Sequence, residues 1–264
     1  MPNFVTEDSN MAQFNVNFHS YSIGYPIQIE VTIPSVSSCD GRDGSPVTHE
    51  LPAKFPVLYL LHGAGNDYHC WTRYTSAERY AEEQMIAIVT CSVGNSAYMN
   101  REDVRGENYY DFVSKELPEF LANYFPISTR PEDSYIAGYS MGGFGTMLHT
   151  FTTPERFTAS GFFSIGVMKN APSGSNRPDV IELAKKAKET GKLPKIFLCC
   201  GKEDFLYAAA VELHNELDKR GIEHRYDEEP GYEHEFAFWD LELQKFLAWI
   251  PRTDYYADKV PHKI

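Results

Sequence analysis

The stretch Ser134–Phe151, SYIAGYSMGGFGTMLHTF, decides the fold. It opens on a short apolar run, passes through Gly138-Tyr139-Ser140-Met141-Gly142, and continues in residues that suit a helix. A G-x-S-x-G pentapeptide between a buried strand and a helix makes a sharp turn that holds the serine in a strained conformation and projects its Oγ from the sheet. The residues two before and two after the serine come close together there, so both must be small. The amide groups that begin the helix favour negative charge beside the hydroxyl. A glycine-rich loop with an incidental serine is the competing reading, and the strand–helix context speaks against it.

Outward from this turn, the same kind of apolar run recurs. Phe55–His62 (FPVLYLLH), Met85–Val93 (MIAIVTCSV), Ala159–Ile165 (ASGFFSI) and Lys195–Gly201 (KIFLCCG) read as strands buried on both faces, as in a parallel sheet. Helical patterns lie between them: Cys70–Gln84, Gly106–Phe125 and Glu203–Gly221, the last ending in basic residues and a glycine. Alternating strands and helices indicate an α/β fold with helices on both faces of a mostly parallel sheet. Phe14–Ser20 and Tyr25–Pro34 alternate apolar and polar residues instead and are expected to form an antiparallel N-terminal edge. Ser37–Phe55 is rich in Gly, Pro, Ser and Asp and reads as a loop. The chain reads as one domain over residues 1–264, and the long connection within 166–194 is a candidate lid.

A net charge of −13 disfavours nucleic acid, whose affinity for protein comes largely from Lys and Arg. The first residues lack the basic and apolar regions of a signal peptide, and no run approaches the roughly 18 apolar residues of a membrane span. The five cysteines, Cys39, Cys70, Cys91, Cys199 and Cys200, have no C-x-x-C spacing, which fits reduced thiols in a cytoplasmic protein without a metal. The sequence leaves a homo-oligomer possible and does not name the oligomeric state.

A serine hydroxyl becomes a useful nucleophile when a base takes its proton and an acid orients the base. After a strand–turn–helix serine, the acid and then the histidine are expected on loops that follow later strands. Asp204, in KIFLCCGKEDFLY, sits just past a strand; neighbouring Glu203 is its rival, and capping of the next helix is the alternative role for Asp204. Of His214, His224, His234 and His262, all C-terminal to Asp204, only His234 is expected on a loop before a helix. His214 reads as mid-helix, and His224 as part of a strand. An oxyanion hole would take the backbone N–H of Met141 and a second one from His62-Gly63-Ala64-Gly65, that of Ala64 or else Gly63. His62 itself reads as structural. Tyr68, Trp71, Tyr98 and Met99 follow strands near that segment and are candidates for a substrate pocket, with core packing as the equal alternative.

These segments resemble the esterase D-like branch of the α/β-hydrolases, which holds tributyrin esterases, feruloyl and acetyl-xylan esterases, and S-formylglutathione hydrolases. LLHGAGNDYHCWTRYTSAERYAEE is similar to the oxyanion segment of that branch, and GYSMGGFG, CCGKEDFLY and GYEHEFAFWD to its Ser, Asp and His segments. The resemblance runs over nearly the whole chain. It implies an α/β-hydrolase fold and a serine carboxylesterase that takes a small acyl group and many alcohols, with acetylated or feruloylated sugars among the options. It also implies that hydrolysis needs no metal or organic cofactor. Formylglutathione-type thioester hydrolysis is the alternative, and a non-catalytic binding protein is a further one. One position departs: many relatives carry Trp two residues after the histidine, where this chain has Phe236, so the shape of the acyl pocket does not carry over.

Overall fold

The computed structural model describes residues 11–34, 49–101, 106–166 and 177–258. In chain order the elements are β1 (Met11–His19), β2 (Pro26–Pro34), β3 (Val57–Leu61), α1 (Cys70–Tyr74), α2 (Ala77–Gln84) and β4 (Ala87–Cys91). There follow α3 (Tyr109–Asp111), which runs through a π-helical turn at Phe112–Glu116 into α4 (Leu117–Tyr124), then β5 (Ser134–Tyr139) and α5 (Met141–Thr152). The chain ends with β6 (Ala159–Phe163), α6 (Val180–Glu189), β7 (Lys195–Gly201), α7 (Tyr207–Lys219), β8 (Arg225–Glu229) and α8 (Phe236–Trp249).

The strands form one eight-stranded sheet in the order β1-β2-β4-β3-β5-β6-β7-β8. β1 pairs antiparallel with β2, and β2 antiparallel with β4; every later pair is parallel. This is the α/β-hydrolase fold with the antiparallel edge expected from the N-terminal alternation. Burial follows the same division. All five residues of β3 and of β4 are buried, because helices cover both faces of the sheet there. β1, at the open edge, is mostly exposed.

One face carries α1, α2 and α8, whose Trp71, Tyr80, Phe238, Leu243 and Phe246 pack on Leu58, Leu60, Tyr135, Ala137 and Phe163. The other carries α4 against Val57, Tyr59 and Ile136, and α5, α6 and α7 against Phe162, Ile196 and Leu198. Within 166–194, residues 180–189 form α6, a crossover helix that packs on α5; residues 167–176 lie outside the described part. The helical run Cys70–Gln84 is divided at Thr75, whose extended backbone ends α1 while its hydroxyl accepts the N–H of Ala77 at 3.2 Å. His224 falls one residue before β8 and not within it. Among the described residues, no helix is long and apolar enough to cross a membrane.

Candidate active site

Ser140 sits between β5 and α5 with φ 55° and ψ −119°, a conformation that costs a non-glycine residue on the order of 1–3 kcal/mol. Its N–H donates to the carbonyl of Phe163 at 3.0 Å. The first bond of α5 runs from the N–H of Phe144 to the carbonyl of Ser140, so the amides of Met141, Gly142 and Gly143 have no acceptor within the helix. The turn is as tight as the pentapeptide requires. A Cβ on Gly138 would lie 2.6 Å from the carbonyl carbon of Gly142, and one on Gly142 would lie 2.2 Å from the carbonyl oxygen of Leu61.

The loop after β3 faces this turn. Buried His62 accepts the N–H of Val93 at Nε2 (3.1 Å), so its proton is on Nδ1, which donates to the carbonyl of Gly63 at 2.7 Å. Burial lowers the pKa of His62, against the bond to Gly63, and keeps the ring neutral. The Tyr98 hydroxyl donates to the carbonyl of His62 at 2.9 Å, and Trp71 Nε1 to that of Leu61 at 3.2 Å. The Gly65 amide donates to Asn95 Oδ1 at 2.8 Å. The backbone at Gly63 and Ala64 is therefore fixed from both sides.

Across the cavity, Asp204 follows β7 with its side chain fully buried. Its Oδ1 accepts the N–H of Leu206 and its Oδ2 meets His234 Nδ1, both at 2.8 Å. Because a carboxylate accepts, His234 carries a proton on Nδ1, which leaves Nε2 as the nitrogen that bears the lone pair in the neutral ring. Burial raises the pKa of Asp204, but hydrogen bonds from His234, the Leu206 amide and Ser164 outweigh it and hold the carboxyl below the usual aspartate range. Glu203 is turned away, its Oε2 accepting the N–H of Gly231 at 2.7 Å. Ser164, at the end of β6 with φ 47°, also accepts from Trp239 Nε1 at 2.9 Å, so the acid is held from a second direction. The sequence gives no sign of this serine except its place after a strand.

Ser140, His234, Gly63 and Ala64 line one cavity of about 420 Å³, together with Asn66, Tyr139, Glu235, Phe236 and Trp239. It opens at the carboxyl ends of the parallel strands, where sites in open α/β sheets are found. The Tyr139 and Trp239 rings stack at 3.8 Å, and Phe236 meets both edge-on at 5.2 and 4.8 Å. Tyr68, Trp71, Tyr98 and Met99, expected near a substrate, do not line this cavity. Trp71 and Tyr98 are a correction: both are completely buried core residues. Positive φ at Ala97 and Tyr98 turns the Tyr98 ring inward, against α5 at Gly145. Tyr68 lies against His69 at 3.8 Å, and Met99 packs on the core between the sheet and α5–α6. Burial pushes the Cys70 thiol up to about 12, so near the Gly63–Ala64 loop it is a neutral packing group. His214 and His224 bond each other at 2.8 Å, outside the cavity.

A strained serine after a parallel strand and an Asp–His pair on later loops define an α/β-hydrolase-fold serine hydrolase. The family model described as "Putative esterase" matches residues 45–250, and the chain belongs to that family. It is 28% identical over 271 residues to an acetyl esterase of Caldicellulosiruptor saccharolyticus, covering 92% of this chain and 99% of that one. Among solved structures, it is similar to the apoenzyme of the S-formylglutathione hydrolase FrmB from Staphylococcus aureus, at 30% identity and TM-score 0.78, covering 91% of this chain and 99% of that one. The substrate-bound serine hydrolase FphF from Staphylococcus aureus, described as fluorophosphonate-binding, gives 29% identity and TM-score 0.78, covering 90% of this chain and 98% of that one.

Proposed function

We propose that the protein is a serine carboxylesterase for short acyl groups, acting through Ser140, His234 and Asp204. The observation that carries this is the 2.8 Å contact of His234 with buried Asp204 at a cavity that Ser140 shares. His234 Nε2 takes the proton of Ser140 as its Oγ bonds to the ester carbonyl carbon. The resulting oxyanion is held by the N–H groups of Met141 and of Ala64 or Gly63. Collapse breaks the bond to the alcohol oxygen, which receives the proton from Nε2 and leaves an acyl-Ser140. Water then attacks that acyl carbon, giving its proton to Nε2, and the carboxylic acid departs as the proton returns to Ser140 Oγ.

The aromatic wall of Tyr139, Phe236 and Trp239 supports a small acyl group, in keeping with the acetyl esterase among its relatives. Buried free thiols at Cys70, Cys91, Cys199 and Cys200 fit a reducing compartment and support a cytoplasmic enzyme. The test is kcat/KM on p-nitrophenyl esters from acetate to laurate, methyl ferulate and S-formylglutathione, with and without EDTA. Acetate and butyrate should exceed the long chains, and Ser140→Ala should lose several orders of magnitude in kcat while folding normally. S-formylglutathione turned over far faster than any ester would assign the thioester reaction instead. Activity lost to EDTA and restored by zinc would overturn the mechanism.

A further inference from the structure

Phe205 follows Asp204 directly and is 75% exposed, more than any other large hydrophobic residue described. Its ring centre lies 4.6 Å from that of His234, at 49°. On another side the imidazole meets buried Trp239 edge-on at 5.0 Å. Trp239 and the bond to Asp204 already fix the base, so orientation does not require Phe205. A second exposed ring, Tyr74, 54% exposed, lies 4.8 Å from Phe236 of the cavity wall. Apolar rings thus extend from the site into water beside the group that protonates the leaving oxygen.

We infer that Phe205 is the platform for the alcohol part of the ester, and that the preferred alcohol carries an apolar ring; this rests on the esterase reading above. The acyl carbon is bound at Ser140 and the oxyanion amides, while His234 Nε2 must reach the alcohol oxygen. The alcohol therefore stands at the imidazole, and the exposed ring in contact with that imidazole is Phe205. An aryl alcohol laid against it removes apolar area of both partners from water and adds a ring–ring contact. A small alkyl alcohol does not reach it. Phe205 is on this account a specificity-determining residue that leaves the chemical step unchanged.

The test compares 2-naphthyl acetate with ethyl acetate on wild type, Phe205→Leu and Phe205→Ala. The acyl group is the same, so effects on the acyl pocket cancel. Phe205→Ala should lower kcat/KM for 2-naphthyl acetate by roughly tenfold, the scale of one aromatic contact, and leave ethyl acetate within about twofold. Phe205→Leu should fall between. Equal losses on both esters would place the effect on His234 and overturn the inference. Wild type and Phe205→Ala that cleave both esters in an unchanged ratio would overturn it alone, whereas a wild type that cleaves neither would remove the esterase reading along with it.

Discussion

The two walls of the cavity are held in different ways. The wall after β3, with the proposed oxyanion donors, is bolted by neutral buried hydrogen bonds: Val93 to His62, His62 to Gly63, Tyr98 to His62. The opposite wall, after β7 and β8, depends on a charge-assisted pair and on rings, and His234 remains 19% exposed. The difference suits the two tasks proposed for these walls. Donors that must meet a developing charge gain from rigidity, since they lose nothing to reorganisation. A base that accepts and returns a proton needs a firm tautomer and access to substrate and water.

The largest effect should come from the charged wall. Asp204→Asn should leave KM nearly unchanged and lower kcat by about 10⁴-fold, because His234 loses its tautomer. Glu203→Gln should be mild, and steady-state kinetics on p-nitrophenyl acetate that showed the reverse would exchange their roles. On the neutral wall, His62→Leu leaves the Val93 amide unpaired, at about 1–3 kcal/mol for a buried group, and leaves the Gly63 carbonyl only the long 3.4 Å bond from the Asn66 N–H. Urea unfolding should register that loss, and kcat should fall by about a hundredfold as an oxyanion donor shifts. A His62→Leu enzyme with normal kcat would show that the wall does not need its bolt.

Smaller is the change expected from Ser164→Ala, which removes one hydrogen bond from Asp204 and leaves Trp239 Nε1 unpaired. About a tenfold loss in kcat is expected. Separate from these effects on turnover is the pH response of stability. Burial lowers the pKa of His62, and lowers that of His149, whose ring nitrogens are both unpartnered, to about 3. Unfolding lets both rings take up protons near pH 6.5, so stability is complete above that pH and is lost as pH falls, for His149 down to about 3. Depressed Asp204 adds a loss in the same direction as pH falls through its folded value. Melting temperature should drop from pH 7 to pH 4, and less steeply in His149→Phe; an unchanged slope would remove His149 from the account.

The parallel sheet was legible because strands buried on both faces leave continuous apolar runs, and the N-terminal edge because a half-covered pair leaves alternation. The Ser140 turn was legible because its geometry admits so few residues at 138 and 142. The choice of Asp204 over Glu203 was less so. Adjacent carboxylates diverge by a turn dihedral, and the Gly231 amide that draws Glu203 away belongs to a loop far along the chain. Trp71 and Tyr98 stayed open between pocket and core for a related reason: an aromatic on a loop after a strand can face core or cavity, and the positive φ at Tyr98 that settles it has no signature in the sequence. Phe205 escaped notice because exposure is a property of the finished fold. The break between α1 and α2 depends on Thr75, whose hydroxyl caps the second helix after ending the first, a contact that periodicity does not register.

The backbone at Ser140, with φ 55°, has a consequence for how such a protein evolves. That conformation is one that glycine adopts freely and serine does not. With Ser140 as the proposed nucleophile, a Ser140→Gly chain would be inert and yet harder to melt than the parent, whereas Ser140→Ala would keep the strain. Selection for durability alone would drift toward glycine at this position and discard the reaction. On the proposed mechanism, the serine at this position leaves the chain below its attainable stability in exchange for turnover, the trade-off expected where a fold sits just above the stability it needs.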